Sequence, residues 1–218
     1  MAPYSHPILQ QSFAIIDAEL AARGIAHALT AAEYQIARRI IHSTADFEFL
    51  SSVRFEHDAI AQGMQALQQG KPIVVDVSMV RQGITTLVKQ TFNNPILTAV
   101  EYATVADPGR TRTETGLLQC LTQAPGAIYV IGNAPTALQA LCQQIQAGQA
   151  QPTLVIGAPV GFVGVLEAKQ TLAQTAIPQI RVEGRKGGSP VAAAIVNALL
   201  LLAWDAELVN ENDPNPKR

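Results

Sequence analysis

The stretch 127–147, AIYVIGNAPTALQALCQQIQA, decides the fold class. Ala127 to Ile131 is an unbroken apolar run. Gly132-Asn133 then supplies a turn, and Pro135 stands where a helix accepts a proline in its first turn. A strand with no polar side has no solvent face, so this run predicts a parallel strand buried between two layers of helix. The helix that follows it is expected over Pro135 to Ala147. The same alternation recurs along the chain. Thr153 to Ile156 precedes a helix from about Val163 to Thr175, and Gln179 to Val182 precedes the last helix. Upstream, Ile73 to Val77 reads as a further short buried strand behind a helix from Glu56 to Gln69, which Gly70 stops. Parallel pairing needs long crossovers and hides both faces of each strand. The expected fold is therefore α/β, a mainly parallel sheet covered by helices on both faces. Residues 1–218 show no second core, repeat or low-complexity linker, so one domain is expected, with a core of about 7–204 and a polar, frayed tail over 205–218.

In such a sheet, ligands gather beyond the carboxyl ends of the strands. The segments expected there are Ser78 to Ile84, Gly132 to Pro135, Gly157 to Gly164 and Gly184 to Pro190, all read as loops. The last of them, Gly184-Arg185-Lys186-Gly187-Gly188-Ser189-Pro190, carries chemistry. Its glycines allow close backbone approach, Arg185 and Lys186 bring positive charge, and Ser189-Pro190 opens a helix as N-cap and first-turn proline. A helix start of this kind takes an anion, carboxylate or phosphate. The glycines of Gly157 to Gly164 do not have the G-x-G-x-x-G spacing, and no Walker sequence occurs, so nucleotide binding is not expected. Glu167 and Lys169 read as the solvated face of the helix after that loop.

Composition excludes several classes. With 48% hydrophobic and 15% charged residues and a net charge of -2, the chain reads as a compact protein with a sizeable core. Its 15 Lys and Arg are scattered against 17 Asp and Glu, so no basic tract exists for nucleic acid. Cys120 and Cys142 lie in helix-like patterns without a CxxC spacing, which predicts reduced structural thiols. Val191 to Trp204 is nearly uncharged but shorter than the roughly 20 residues that cross a bilayer. It predicts a helix buried in the core or against a second copy of the chain, and no membrane span. The opening MAPYSHPILQQSF lacks the pattern of a secretory signal, so a cytoplasmic location is expected.

Few side chains here can move a proton near neutral pH. In Arg38-Arg39-Ile40-Ile41-His42-Ser43-Thr44-Ala45-Asp46-Phe47-Glu48-Phe49, an apolar helical run ends on His42. Thr30-Ala31-Ala32-Glu33 is a capping box that starts this helix and delivers His42 to its last turn, where the terminal carbonyls favour a protonated imidazole. On spacing alone, His42 reads first as a capped, hydrogen-bonded helix end, and something beyond spacing has to lift it above that. His57 sits between Glu56 and Asp58, but adjacent helical residues point apart and no histidine partner lies four residues away, so no metal site is expected.

Six segments together carry a resemblance. RRIIHSTADFEF (38–49), DVSMVRQGI (76–84), TRTETGL (111–117), VIGNAPTAL (130–138), VIGAPVGFVGVLEAK (155–169) and GRKGGSPVAAAIVNALL (184–200) occur in the order found in the precorrin-8X methylmutase family of cobalamin biosynthesis, which the chain resembles from about Pro7 to Ala203. The resemblance implies an isomerase that moves a methyl group from C-11 to C-12 of a corrinoid ring. Precorrin-8X would become hydrogenobyrinate, or cobalt-precorrin-8 would become cobyrinate. It implies no cofactor, because a [1,5]-sigmatropic shift needs neither nucleophile nor redox partner, and any cobalt enters as part of the substrate. It assigns His42 as the group that protonates or hydrogen-bonds a ring nitrogen. It assigns Ser12, Thr85, Arg112, Arg185, Lys186, Gly187, Gly188 and Ser189 to the substrate, whose acetate and propionate arms suit the basic loop, with Arg110 as a further candidate. It also implies a homodimer with pockets near the interface. A tetrapyrrole carrier without chemistry and a phosphate-binding transferase remain as other readings of the residues.

Overall fold

The computed structural model describes residues 6–211. The residues beyond Glu211 in the expected tail, and the first five of the opening segment, lie outside the described residues. The chain opens with α1 (Pro7–Ala22), α2 (Ala31–Thr44) and a single turn α3 (Phe49–Ser52), then enters β1 (Val53–Glu56). Helix α4 (Ala59–Gln68) leads to β2 (Ile73–Val75), α5 (Ser78–Gln90), β3 (Ile96–Thr98) and a short α6 (Ala99–Tyr102). There follow α7 (Arg112–Gln123), β4 (Ile128–Ile131), α8 (Pro135–Gln146), β5 (Leu154–Gly157), α9 (Val165–Ala173), β6 (Gln179–Val182) and α10 (Ser189–Glu211).

The six strands form one sheet in the order β1-β6-β5-β4-β2-β3. All pairings are parallel except β1 with β6, where Val53 faces Val182 in antiparallel register. The alternation of side chains divides the core in two. Val75, Val130, Ile156 and Val182 face a layer built from α2, α4, α5 and α10, while Val74, Tyr129 and Val155 face α7, α8 and α9. Both faces are thus covered, as the apolar strands predict.

The chain reverses its direction of winding between β2 and β4, the place where such sheets usually open a crevice. Here Asp76 fills it. The side chain is fully buried and accepts N–H groups from Val77 (2.9 Å), Asn133 (2.6 Å) and Ala134 (2.8 Å), which ties the end of β2 to the start of α8. Burial pushes this carboxyl above its ordinary range, and the backbone N–H donors pull it back. Gly132 leaves equally little room, because an added Cβ would lie 2.8 Å from Val80 and 3.0 Å from the Ser189 backbone.

Several elements differ from the sequence expectation. Ser78 to Ile84 is the first half of α5, not a loop. The helix expected from Glu56 starts at Ala59, because Glu56 ends β1 and His57 and Asp58 both take left-handed backbone, with φ of 55° and 54°. Edge strands β1 and β3 were not predicted: at four and three residues they are too short and too mixed to show a period. The apolar last helix does not fray at Asp205 but continues to Glu211. Its apolar residues from Val191 to Leu200 are buried, packed on α2, α4 and α5 of the same chain, and further along the helix Leu201, Leu202, Trp204, Ala206, Leu208 and Val209 are partly or fully exposed. Ser189–Val209 is long and apolar enough to cross a membrane by composition, yet over half of it is buried in the protein.

Candidate active site

Helix α2 begins as its sequence predicts. The Thr30 side chain accepts the Glu33 N–H while Glu33 accepts the Thr30 N–H at 2.7 Å, and the apolar residues Ile36, Ala37, Ile40 and Ile41 bury one face. Its end explains the run HSTADFE. The Ser43 and Thr44 hydroxyls both donate to the Ile40 carbonyl at 2.9 Å, Ala45 turns left-handed at φ 54°, and the Ala45 N–H donates to the Ile41 carbonyl. The chain then folds back so that Asp46 and Glu48 flank His42.

His42 borders an open cleft of about 600 Å³, with Ser12, Ile16, Glu19 and Arg23 of α1 on one side and Asp46, Phe47, Glu48 and Lys186 on the other. Ser12 Oγ lies 2.7 Å from His42 Nδ1. The Phe13 ring stands edge-on to the imidazole at 5.8 Å, and the Arg38 guanidinium, paired with Asp17 at 2.8 Å, lies 4.3 Å above the Phe13 ring. The imidazole is therefore oriented by a hydroxyl and an aromatic edge, with Nε2 left for a ligand. Desolvation, and then the Arg39 charge one turn below, hold the His42 pKa below 6.5. This reverses the expectation of a protonated imidazole: loss of solvent around the ring, helped by the Arg39 charge on the same helix, outweighs the exposed helix carbonyls.

The basic loop after β6 reaches the same cleft, but its lysine is already paired. Lys186 Nζ lies 2.6 Å from Asp46 and 2.8 Å from Glu48, and these carboxylates raise the Lys186 pKa while Lys186 lowers that of Asp46. Arg185 lies 6.0 Å over the ring of Phe162, a residue 86% exposed. Gly187 has φ 154°, and a Cβ there would sit 2.4 Å from the Ala158 carbonyl oxygen. Its neighbour Gly188 donates its N–H to that same oxygen at 2.8 Å and takes φ 116°, so the crossing of two backbones requires Gly187 while the backbone angle favours glycine at 188. Ser189 is buried at the first turn of α10.

Thr85 and Arg112 do not join the cleft. Thr85 is on α5, where its hydroxyl donates to the Arg81 carbonyl at 2.7 Å. Arg112 is exposed at the start of α7, on the other side of the sheet, after Thr111 has capped that helix. Arg110 pairs with Asp107 and Glu114 at 3.5 and 3.4 Å. Lys169 corrects its expected place on a solvated face: it is 3% exposed, and Nζ donates to the carbonyls of Gly184 and Lys186 at 2.8 Å each. Only its spacing of four residues from the apolar Val165 hints at burial. Cys120 and Cys142 are free and buried, and burial pushes their thiols up to about 11 and about 12. Among the described residues, no group of three or more His, Cys, Asp or Glu side chains comes together as a metal site.

The fold is a doubly wound α/β sheet whose switch point is sealed, with an oriented histidine in a cleft that the loop after β6 also reaches. The family to which it belongs is that of precorrin-8X methylmutase, whose model matches residues 7–202. The chain is 61% identical over 218 residues to a cobalt-precorrin-8 methylmutase of Synechocystis, covering 94% of this chain and 99% of that one. It is 40% identical to a precorrin-8X methylmutase of Pseudomonas aeruginosa, over 88% of this chain and 93% of the other. The crystal structure of a precorrin-8X methyl mutase from Thermus thermophilus superposes with a TM-score of 0.81 at 39% identity, covering 92% of this chain and 99% of that one.

Proposed function

We propose that the chain is an isomerase of cobalamin biosynthesis that moves the methyl group on C-11 of a corrinoid ring to C-12. One carbon–carbon bond breaks as the other forms, and no atom leaves the molecule. The observation that carries this reading is family membership over residues 7–202 combined with the Ser12–His42 pair at the mouth of a cleft. The 61% identity to a cobalt-precorrin-8 methylmutase supports the cobalt-loaded substrate, cobalt-precorrin-8, with cobyrinate as product.

His42 is the group assigned to the rearrangement. Its pKa, held below 6.5, makes the imidazole neutral at pH 7. In the tautomer this role needs, the Ser12 hydroxyl donates to Nδ1 and the ring proton sits on Nε2, to be offered to a nitrogen of the macrocycle as electron density shifts during migration. Lys186, Arg185 and the backbone of Gly187, Gly188 and Ser189 border the acetate and propionate arms. Thr85 and Arg112 stand outside the cleft, and they serve the substrate only in the homodimer, where a second copy brings them to the pocket. Residues 1–218 act as one domain in the cytoplasm, without a resident metal or cofactor. The phosphate-transferase reading loses support from Asp46 and Glu48, which already occupy the lysine of the basic loop.

Mixing the protein with cobalt-precorrin-8, and separately with precorrin-8X, and following the absorption spectrum tests the reading. Conversion to the product spectrum is expected. A stable shifted spectrum would mean a carrier, and no change with either ring would overturn the assignment. Sedimentation equilibrium at micromolar concentration tests the dimer: a mass near 23.2 kDa would refute it.

A further inference from the structure

Lys169 is the one described lysine whose charge is buried without a carboxylate within ion-pair distance. The charged groups on the surrounding elements are otherwise engaged or turned to solvent. Arg181 of β6 is held by Glu56 and Glu183, Glu167 of α9 is exposed, Arg185 lies over Phe162, and Lys186 is paired with Asp46 and Glu48. Burying an ammonium is expensive, and a side chain retained there at that cost must be held by what it binds. What it binds is backbone: the carbonyls of Gly184 and Lys186, two residues apart in one loop.

That loop has no secondary structure of its own. Gly184, Gly187 and Gly188 all take positive φ; besides Lys169 and the Lys186 ion pairs, the loop backbone is fastened by Gly161 N–H to the Arg185 carbonyl at 3.2 Å, Gly188 N–H to the Ala158 carbonyl at 2.8 Å and Ala192 N–H to the Gly188 carbonyl at 3.0 Å. A carbonyl held from beneath at residue 186 fixes the direction in which the Lys186 side chain leaves the backbone. Lys186 then reaches the carboxylates of Asp46 and Glu48, which follow the helix that carries His42 in its last turn.

We propose that Lys169 is a positioning residue of the corrinoid site: its ammonium, buried beneath the sheet's end, fixes the 184–188 loop so that Lys186 and the loop backbone meet the substrate's carboxylate arms beside His42. This rests on the methylmutase reading for the ligand, while the contact itself is independent of it. Lys169 touches neither ring nor proton, so its loss separates affinity from chemistry.

Lys169→Met keeps length and volume but removes the donors. The expected result is a folded protein whose cobyrinate dissociation constant, from absorbance titration, is about tenfold weaker, the scale of losing charge-assisted hydrogen bonds. Saturated turnover should stay within about twofold, because the contact is equal in ground and transition states. Lys169→Arg, which restores a charged donor, should recover the affinity. Amide hydrogen exchange of Gly188 should rise in Lys169→Met and not in Lys169→Arg, and this readout needs no corrinoid. If wild type binds no cobyrinate, the methylmutase reading fails and the exchange measurement alone decides the role of Lys169. If Lys169→Met does not fold, Lys169→Gln, uncharged but still a donor, takes its place. Unchanged affinity with unchanged Gly188 exchange, or a fall in turnover at constant affinity, would overturn the proposal.

Discussion

Replacing Gly187 by alanine tests whether the crossing of two loops fixes the site. The new Cβ would lie 2.4 Å from the Ala158 oxygen and 2.8 Å from the Pro159 oxygen, at φ 154°. Carbon–oxygen contacts settle at about 3.3 Å or more, so one backbone must retreat by the better part of an ångström. Backbone strain of about 1–3 kcal/mol and overpacking of about 1–3 kcal/mol together place the cost near 3 kcal/mol. For a chain of 218 residues this lowers the melting temperature by about 6–12 °C. Gly184→Ala is the internal control. It sits in the same loop at φ 74° with nothing within 4 Å of the added Cβ, and should cost only the left-handed strain of about 1 kcal/mol. Differential scanning calorimetry of both variants, with cobyrinate titration of each, measures the difference. Equal melting shifts for the two alanines would refute the reasoning, since strain alone would then account for both.

The remaining predictions concern protons. His42→Ala should lower saturated turnover by about 10²- to 10⁴-fold with little change in corrinoid affinity, and Ser12→Ala should fall between it and wild type, read from single-turnover absorbance. Arg39→Met should raise the His42 pKa, because it removes the nearby positive charge, and an NMR titration of the imidazole would show an unchanged midpoint if the charge were immaterial. Burial pushes the Lys169 ammonium down to about 8 from 10.5. Below about pH 8 both folded and unfolded chains carry that proton; above it the unfolded chain binds more, so stability from this group rises with pH until about 10.5. Urea melts of wild type and Lys169→Met across that window should therefore diverge in favour of wild type, and parallel curves would refute the shift.

The central strands and the α2 cap were legible because each obeys a local rule: Ile73 to Val75 and Ile128 to Ile131 are apolar on both sides, and Thr30 and Glu33 satisfy each other within one turn. Edge strand β1 was not, because Val53–Glu56 alternates burial only weakly and gains its pairing from β6, more than a hundred residues away. The site was half legible. His42 closes a periodic helix, but its Ser12 partner lies 30 residues back on another helix, and the carboxylates that neutralise Lys186 lie 140 residues from it. Lys169 looked like a surface residue because sequence records charge and not the carbonyls that fold over it. The helix end alone favours a charged His42; the burial that pulls its pKa the other way is a tertiary effect the run does not record, and only the smaller contribution, Arg39, is visible there.

The pairing of Lys186 with Asp46 and Glu48 bears on release. Substrate and product of a methyl shift are isomers with the same carboxylate arms, so a free lysine would grip both equally and slow every turnover at its exit. In the proposed site, an arriving arm would have to compete with two carboxylates that belong to the protein, and a departing one would be replaced by them at once. The internal anions act as a built-in competitor that loosens both ends of the cycle, at the cost of weaker capture when the corrinoid is scarce.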